Sequence, residues 1–183
     1  MKSGCQSEKY EPNLGSIASR LAMYMEINMT DKNYNEFLEI TGTSRNFVED
    51  INNFLLDRSC KCEIKTAKSG FTVSYLLQDT KKTLATFVCR KTGIKIRILP
   101  QRLNEYADFL NTLPANMKKE IAKASVCKRL VNPNDCNPKC VMGYDFIMDK
   151  ERYQKCRYMA FMPSISEEST PYIKKFLQYE LMP

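Results

Sequence analysis

The residues with the clearest capacity for chemistry are four cysteines in the second half of the chain: Cys127, Cys136, Cys140 and Cys156. They offer four thiolates, which is the donor set that a tetrahedral structural Zn²⁺ accepts. Cys136 and Cys140 resemble the closely spaced pair that zinc sites place on a tight loop. Two Asn-Pro steps lie between Cys127 and Cys140 and would stiffen that loop. The spacing therefore allows a structural zinc site.

The other spacings of the cluster match no standard zinc knuckle, because eight residues separate the first pair of cysteines and fifteen the last. Three interpretations stay open. Ordinary buried or free thiols come first, a structural Zn²⁺ second and disulfides third. An iron–sulfur cluster uses the same ligands but has different spacings. Basic neighbours would offset the charge of a tetrathiolate: Lys128, Arg129, Lys139, Lys155 and Arg157.

Thiol chemistry is the alternative for the same cluster. Basic neighbours can lower the pKa of a cysteine and make it reactive. Cys140 follows Lys139, and Cys156 lies between Lys155 and Arg157, so either thiol could serve a redox protein or an enzyme. The chain has no His, which excludes a Ser-His-Asp triad, a Cys-His dyad and any His-ligated metal. We therefore lean away from an enzyme.

A second candidate site is a group of cations around one predicted strand: Arg90, Lys91, Lys95 and Arg97. The chain carries 28 Lys and Arg against 21 Asp and Glu, a net charge of +7, which favours an anionic partner. With an aromatic residue nearby, such a face could bind an anion or single-stranded nucleic acid. A solvated sheet face explains the same residues. Both interpretations stay open.

The elements that must position these residues follow from the apolar pattern. Ile94, Ile96 and Ile98 alternate with Lys95 and Arg97, which is typical of a half-buried strand. Similar segments separated by short turns predict an antiparallel meander over 62–66, 71–77, 83–89 and 94–99. Helical spacing predicts helices over 32–40, 44–57, 102–111 and 114–124, and a last one from residue 170. Segments 144–149 and 153–161 are predicted to form a hairpin.

We therefore predict a single α+β domain over residues 29–183. Its mainly antiparallel sheet should have about five or six strands, with helices packed largely on one face. Residues 1–28 are predicted to be a leader, partly flexible, with a short helix over 16–28. The length and the 43% apolar content are sufficient for one hydrophobic core.

Several motifs resemble a family of uncharacterised proteins from clostridia and related Firmicutes. They are KSGFTVSY at 68–75, RKTG at 90–93, LP at 113–114, CNPKCVMGY at 136–144 and YQKCRY at 153–158. The resemblance covers roughly residue 31 to the C-terminus, and the cysteine loop is its most specific part. It implies a bacterial cytoplasmic origin and no particular reaction.

The function expected from these features is that of a small cytoplasmic binding or regulatory module with a structural cysteine loop. No apolar run approaches the ~20 residues that span a bilayer, and the N-terminus lacks the apolar block of a secretory signal. Cytoplasmic cysteines should mostly be reduced. The expected partner is a small molecule or a protein of unknown identity, or a nucleic acid, and not a membrane. Zn²⁺ is the favoured cofactor, and otherwise none is expected.

Overall fold

An antiparallel meander of four strands forms the centre of the domain in a computed structural model, which describes residues 32–68 and 70–182. The strands follow sequence order: β1 (Lys61–Ala67), β2 (Gly70–Leu76), β3 (Thr83–Arg90) and β4 (Gly93–Ile98). Only two residues separate β3 from β4, and Gly93 closes that turn with a φ of 111°, a value that favours glycine. The predicted leader and its helix lie outside the described residues.

One face of this sheet is the core. Val73, Phe87 and Ile96 lie side by side on β2, β3 and β4 and are fully buried. Ile94 and Ile98 are buried on the same face of β4, as their alternation predicts. Removing each such side chain from water contributes about 1.5–3 kcal/mol, so this face fixes the register of the strands.

The helices are residues 32–39 (α1), Arg45–Leu56 (α2), Ala115–Lys123 (α3), Lys128–Val131 (α4) and Thr170–Leu181 (α5). Helices α1, α2, α3 and α5 contribute buried residues to the core, whereas α4 has none. Phe37 of α1 packs on Phe87, with ring centroids 5.7 Å apart. Asn52 of α2 accepts a hydrogen bond from the Tyr75 hydroxyl at 2.7 Å. Phe176 of α5 completes the core. Within the described residues, no helix combines the length and the apolar character needed to cross a bilayer.

The remaining two strands form a separate sheet. Strands β5 (Tyr144–Met148) and β6 (Glu151–Lys155) make a hairpin, and β6 ends six residues before the predicted end of its strand at Phe161. The α+β class is confirmed, but the six strands are divided between two sheets. The segment after β6 covers the free edge of β4 instead. Ile98 N–H donates to the Phe161 carbonyl at 2.8 Å, and Ile96 N–H donates to the Pro163 carbonyl at 3.1 Å. Proline is tolerated at such an edge, although it cannot continue a ladder.

The prediction of a helix over 102–111 is wrong in type. The segment forms two 3₁₀ helices, Leu103–Glu105 and Ala107–Thr112, although Leu103 and Leu110 are buried as expected. The buried carboxylate of Glu180 on α5 anchors this segment. It accepts the N–H groups of Gln101 and Arg102 at 2.8 and 3.1 Å, and the Tyr106 hydroxyl donates to it as well. These bonds attach the start of the segment and Tyr106 to α5.

Replacing Tyr75 by Phe should destabilise the domain by about 1–2 kcal/mol, because the buried Asn52 amide oxygen then loses its hydroxyl partner. Tyr34 provides the matched control. Its hydroxyl is buried and has no hydrogen-bond partner among the described residues, so Tyr34→Phe should cost nothing. Urea denaturation midpoints measure both changes. Equal losses in the two variants would contradict this account of the Tyr75–Asn52 bond.

Candidate functional site

Two of the four cysteines sit on paired backbone segments. The chain leaves α3 and runs beside the end of β6, where Val126 and Lys155 form an isolated bridge. Cys127 N–H donates to the Gln154 carbonyl at 3.0 Å, and Cys156 N–H donates to the Ser125 carbonyl at 2.8 Å. Cys127 is buried and Cys156 is half-buried. Their separation is therefore set by backbone hydrogen bonds.

Lys155 holds this junction together from inside. Its side chain is buried, and its ammonium donates to the carbonyls of Ala122 and Ala124 at 2.6 and 2.9 Å. These are carbonyls at the C-terminal end of α3, where the helix macrodipole favours a positive charge. Lys155 thus fastens α3 to β6 immediately beside Cys156. The sequence predicts for this lysine only a positive charge beside the cysteines, and not this anchoring contact.

The loop between α4 and β5 carries the other two cysteines and is built from turns. Asn132 Oδ1 accepts the N–H of Asn134 at 3.1 Å, and Asn137 Oδ1 accepts the N–H of Lys139 at 2.9 Å. Asparagine side chains commonly stabilise turns in this way. The Arg129 guanidinium donates to the carbonyl of Cys140, which ties the loop back to α4.

Cys140 lies on the loop between α4 and β5, and its thiol donates to the Val141 carbonyl at 3.2 Å. Burial raises the pKa of the Cys140 thiol, and the thiols of Cys136, Cys156 and Cys127 raise it further, Cys136 by a hydrogen bond as well as by charge. Within the described residues, no three of these thiols stand close enough together to form a ready metal site. We call the four cysteines that the sequence singled out the cysteine cluster.

Gly143 lies at the closest approach between the cysteine loop and β6. Its N–H donates to Cys127 Sγ at 3.2 Å. A Cβ atom at Gly143 would lie 2.7 Å from Cys127 Cβ and would also overlap the Lys155 carbonyl oxygen. Only glycine allows the loop to approach Cys127 and β6 this closely. In the sequence, the position of this glycine between the cysteine loop and the predicted hairpin is the pattern that indicates such a close approach.

Four thiolates are a donor set that Zn²⁺ accepts, although the spacing of these cysteines along the chain matches no standard zinc motif. The seven described cysteines are free thiols. In the described part of the chain, no three His, Cys, Asp or Glu side chains stand close enough together to form a ready metal site. An N–H group directed at Cys127 Sγ and the nearby Arg129 guanidinium would both favour thiolates. The structural zinc site stays a prediction.

The environment of Cys140 does not support thiol catalysis. A reactive cysteine needs a lowered pKa, and the effect expected from the neighbouring Lys139 is outweighed by burial and by the other thiols. Burial likewise raises the pKa of Cys62, to about 11, and that of Cys89. These two thiols pack against the hydrophobic core.

Lys95 is the member of the predicted basic face that pairs with a carboxylate among the described residues. Its Nζ lies 2.5 Å from Glu120 Oε1 of α3, and the side chain is only 18% exposed. Arg97 Nε donates to the Tyr158 carbonyl at 2.9 Å, and burial followed by repulsion from Arg90 lowers the pKa of Arg97. Arg90 and Lys91 are exposed. Binding of an anion or a nucleic acid by these cations stays a prediction.

An open groove of about 370 Å³ lies beside the cysteine cluster, between the start of β5 and the turns over 100–105. Gly143 forms part of its wall, and so does Arg157, the residue after Cys156. The guanidinium of Arg157 stacks on the Tyr144 ring, with its central carbon 4.9 Å from the ring centroid. Residues adjacent in the chain to the cysteines therefore form part of the groove wall.

Comparisons of the chain with protein-family models, with curated proteins and with solved structures find no match. The resemblance to a clostridial family accordingly stays a prediction. Any function must be argued from the cysteine cluster and the groove themselves.

Replacing Gly143 by Ala should destabilise the domain by about 1–3 kcal/mol, because the new methyl group overlaps Cys127 and the Lys155 carbonyl. Val141, an exposed residue two positions earlier, is the control, and Val141→Ala should leave stability nearly unchanged. Thermal unfolding followed by circular dichroism compares the variants. A Gly143→Ala protein as stable as the parent would contradict the close approach.

Asp145 on the groove wall should titrate at an unusually low pH. Arg152 donates to both of its carboxylate oxygens, at 2.8 and 2.6 Å, and with Gln154 lowers the pKa of Asp145 to about 2. The folded pKa lies below the unfolded value of ~3.9, so the pair stabilises the fold above about pH 4 and this contribution is lost as the pH falls towards 2.

Carboxyl-carbon NMR titration tests this directly. Arg152→Gln should return the pKa of Asp145 towards its ordinary value. Arg58 follows the end of α2, far from Asp145 in the sequence, and Arg58→Gln should not change that pKa. An Asp145 that already titrates normally in the parent protein would show that the Arg152 pair does not persist in solution.

Proposed function

We propose that the protein is a non-enzymatic cytoplasmic binding module whose C-terminal half is closed by a structural Zn²⁺. The metal would be held by Cys127, Cys136, Cys140 and Cys156. The observation that carries this proposal is the backbone pairing that places Cys127 and Cys156 on adjacent segments, to which the cysteine loop returns through the Gly143 N–H bond to Cys127 Sγ. Four thiolates are a complete tetrahedral set.

A zinc site of this kind serves structure and not catalysis. Catalytic zinc keeps an open coordination position for water or substrate, whereas four protein thiolates leave none. The four cysteines lie after α3, on the loop before β5 and after β6, so a metal there would tie the loop to a junction that backbone hydrogen bonds and Lys155 already hold. In zinc-finger peptides such sites contribute apparent binding free energies of about 10–16 kcal/mol.

Metal binding would have to draw the exposed Cys136 towards the other thiols. Cys136 has a φ of 75°, a strained value for a residue other than glycine, and it is exposed at the tip of the loop. Ordering this loop costs conformational entropy, of about 1–2 kcal/mol per backbone residue. The binding free energy of four thiolates is large enough to offset that cost.

The charge of the site is also accounted for. Zn²⁺ with four thiolates carries a net charge of −2, which would be unfavourable away from solvent without nearby cations. Arg129 reaches the carbonyl of Cys140, and Arg97 lies within electrostatic range of Cys156. These two guanidinium groups support a tetrathiolate at this position.

The binding role rests on the groove next to the cluster. Gly143 and Arg157 belong to the groove wall and also flank the cysteine cluster in the chain. Closing the cluster would therefore fix one side of the groove before any ligand arrives, which lowers the cost of binding. A reducing cytoplasm would keep the thiols available for metal.

Protein purified without chelator should contain one zinc per chain, and Cys140→Ser and Cys156→Ser should each lose it. Loss of one thiolate leaves an incomplete set, so affinity should fall steeply. Cys89→Ser is the control, because Cys89 lies on β3 outside the cluster and should retain full metal content. Elemental analysis and thiol titration with and without chelator measure the effect.

The thermal midpoint should drop on chelation in the parent protein and in Cys89→Ser, and should not respond in the two cluster variants. A folded parent protein that carries no metal and whose cluster thiols all react freely would refute the zinc proposal. The cluster would then be a set of ordinary thiols, which is the first interpretation that the sequence allowed.

A further inference from the structure

The groove beside the cysteine cluster has an uneven distribution of charge. Two of its acidic residues are already paired. Glu105 accepts from Arg102 at 2.7 and 2.8 Å, and Asp145 is held by Arg152 in a two-pronged pair. Within the described residues, Arg157 makes no ion pair. Its positive charge is the one on the groove wall that no carboxylate neutralises.

Arg157 is nevertheless held in place. It is half-buried, stacks on the Tyr144 ring and donates from Nη2 to the Pro100 carbonyl at 3.4 Å, a long bond. The Tyr144 hydroxyl donates to the same carbonyl at 3.1 Å, so that ring is fixed as well. A guanidinium has five N–H donors, and stacking leaves its edge accessible. Four donors of a pre-oriented guanidinium remain for another partner.

We propose that this groove binds a small polar ligand through an oxyanion group, a carboxylate or a phosphate, which pairs with Arg157. A planar guanidinium with free edge donors matches both oxyanions in a two-pronged geometry. The volume of about 370 Å³ falls within the range of small-molecule sites. The inference rests on the proposed function in that the cysteine cluster, through Cys156, positions Arg157.

The other residues that line the groove indicate the chemistry of the rest of the ligand, beyond its oxyanion group. Gln101 and Asn104 contribute amide groups, and the polar part of the wall exceeds the apolar part. Gln101 Nε2 donates to the Leu99 carbonyl at 2.9 Å, and Gln101 and Asn104 are both exposed, so an apolar ligand would displace water from polar groups, which is unfavourable. The ligand class is therefore a small molecule with one oxyanion and further hydrogen-bonding groups.

Isothermal titration at low ionic strength tests the proposal with two probes, inorganic phosphate and succinate. Saturable binding of either probe is expected, and the stronger one identifies the oxyanion. Arg157→Gln should weaken binding by about 10- to 100-fold, the loss expected for one charge-assisted hydrogen-bonding group. Arg58→Gln is the matched control, because Arg58 also stacks on an aromatic ring, Phe54 at 3.7 Å, but is exposed outside the groove.

The parent protein alone also locates the site, which covers the case of an Arg157→Gln protein that does not fold. On addition of the better probe, the amide NMR signals of Gly143 and Arg157 should shift, and that of Phe54 should not. Absence of saturable binding to both probes would overturn the proposal, and so would binding that is unchanged in a folded Arg157→Gln protein or shifts confined to other regions.

Zinc content measured in the same samples separates this inference from the proposed function. A zinc-containing protein that binds neither probe overturns the anion site and leaves the zinc proposal standing. A metal-free protein that binds a probe at Arg157 supports the anion site and refutes the zinc proposal. The two failures are therefore distinguishable.

Discussion

The buried ammonium of Lys155 is the interaction on which the functional half of the structure depends. An isolated charge in a protein interior is strongly unfavourable, so its position is fixed by its partners. Those partners are two carbonyls at the end of α3, at 2.6 and 2.9 Å. Because Lys155 immediately precedes Cys156, the hydrogen bonds from the Lys155 ammonium to the end of α3 also position the last cysteine of the cluster. Removing the ammonium would leave helix-terminal carbonyls unsatisfied and free β6 from α3 at the same time.

The cysteine cluster and the groove share this anchored backbone. Cys156 belongs to the cluster and Arg157 to the groove, and Gly143 touches both. A ligand that binds only the folded arrangement stabilises it by mass action. If a metal orders Cys156, it also orders Arg157, so metal and anion should each strengthen the binding of the other by the same factor. This coupling would pass through the peptide bond between Cys156 and Arg157 and through Gly143.

Local patterns in the sequence predicted those helices and strands whose formation depends on residues close together in the chain. The alternation of Ile94 with Lys95 predicted β4, and the apolar spacing around Ile51 predicted α2, because burial of one face dictates both periods. What the sequence could not supply depends on residues far apart. Glu180 anchors the segment that forms 3₁₀ turns across nearly eighty positions, and Glu120 neutralises Lys95 across twenty-five. The four cysteines could be singled out from the sequence, whereas the close approach at Gly143 depends on neighbours that the sequence does not show.

The environment of Cys140 differs from that of a reactive cysteine. A thiolate raises the free energy of ionising a neighbouring thiol, so burial and the other thiols favour the protonated form of Cys140, in agreement with its hydrogen bond to the Val141 carbonyl. A reactive cysteine would need the opposite arrangement, with cations and no other thiols around it. A divalent cation bound by several of the thiols would reverse the sign of this interaction, since it would displace the protons and attract every thiolate. The electrostatics at Cys140 therefore oppose a nucleophilic role for this thiol, and they would cease to oppose its ionisation if the proposed metal were bound.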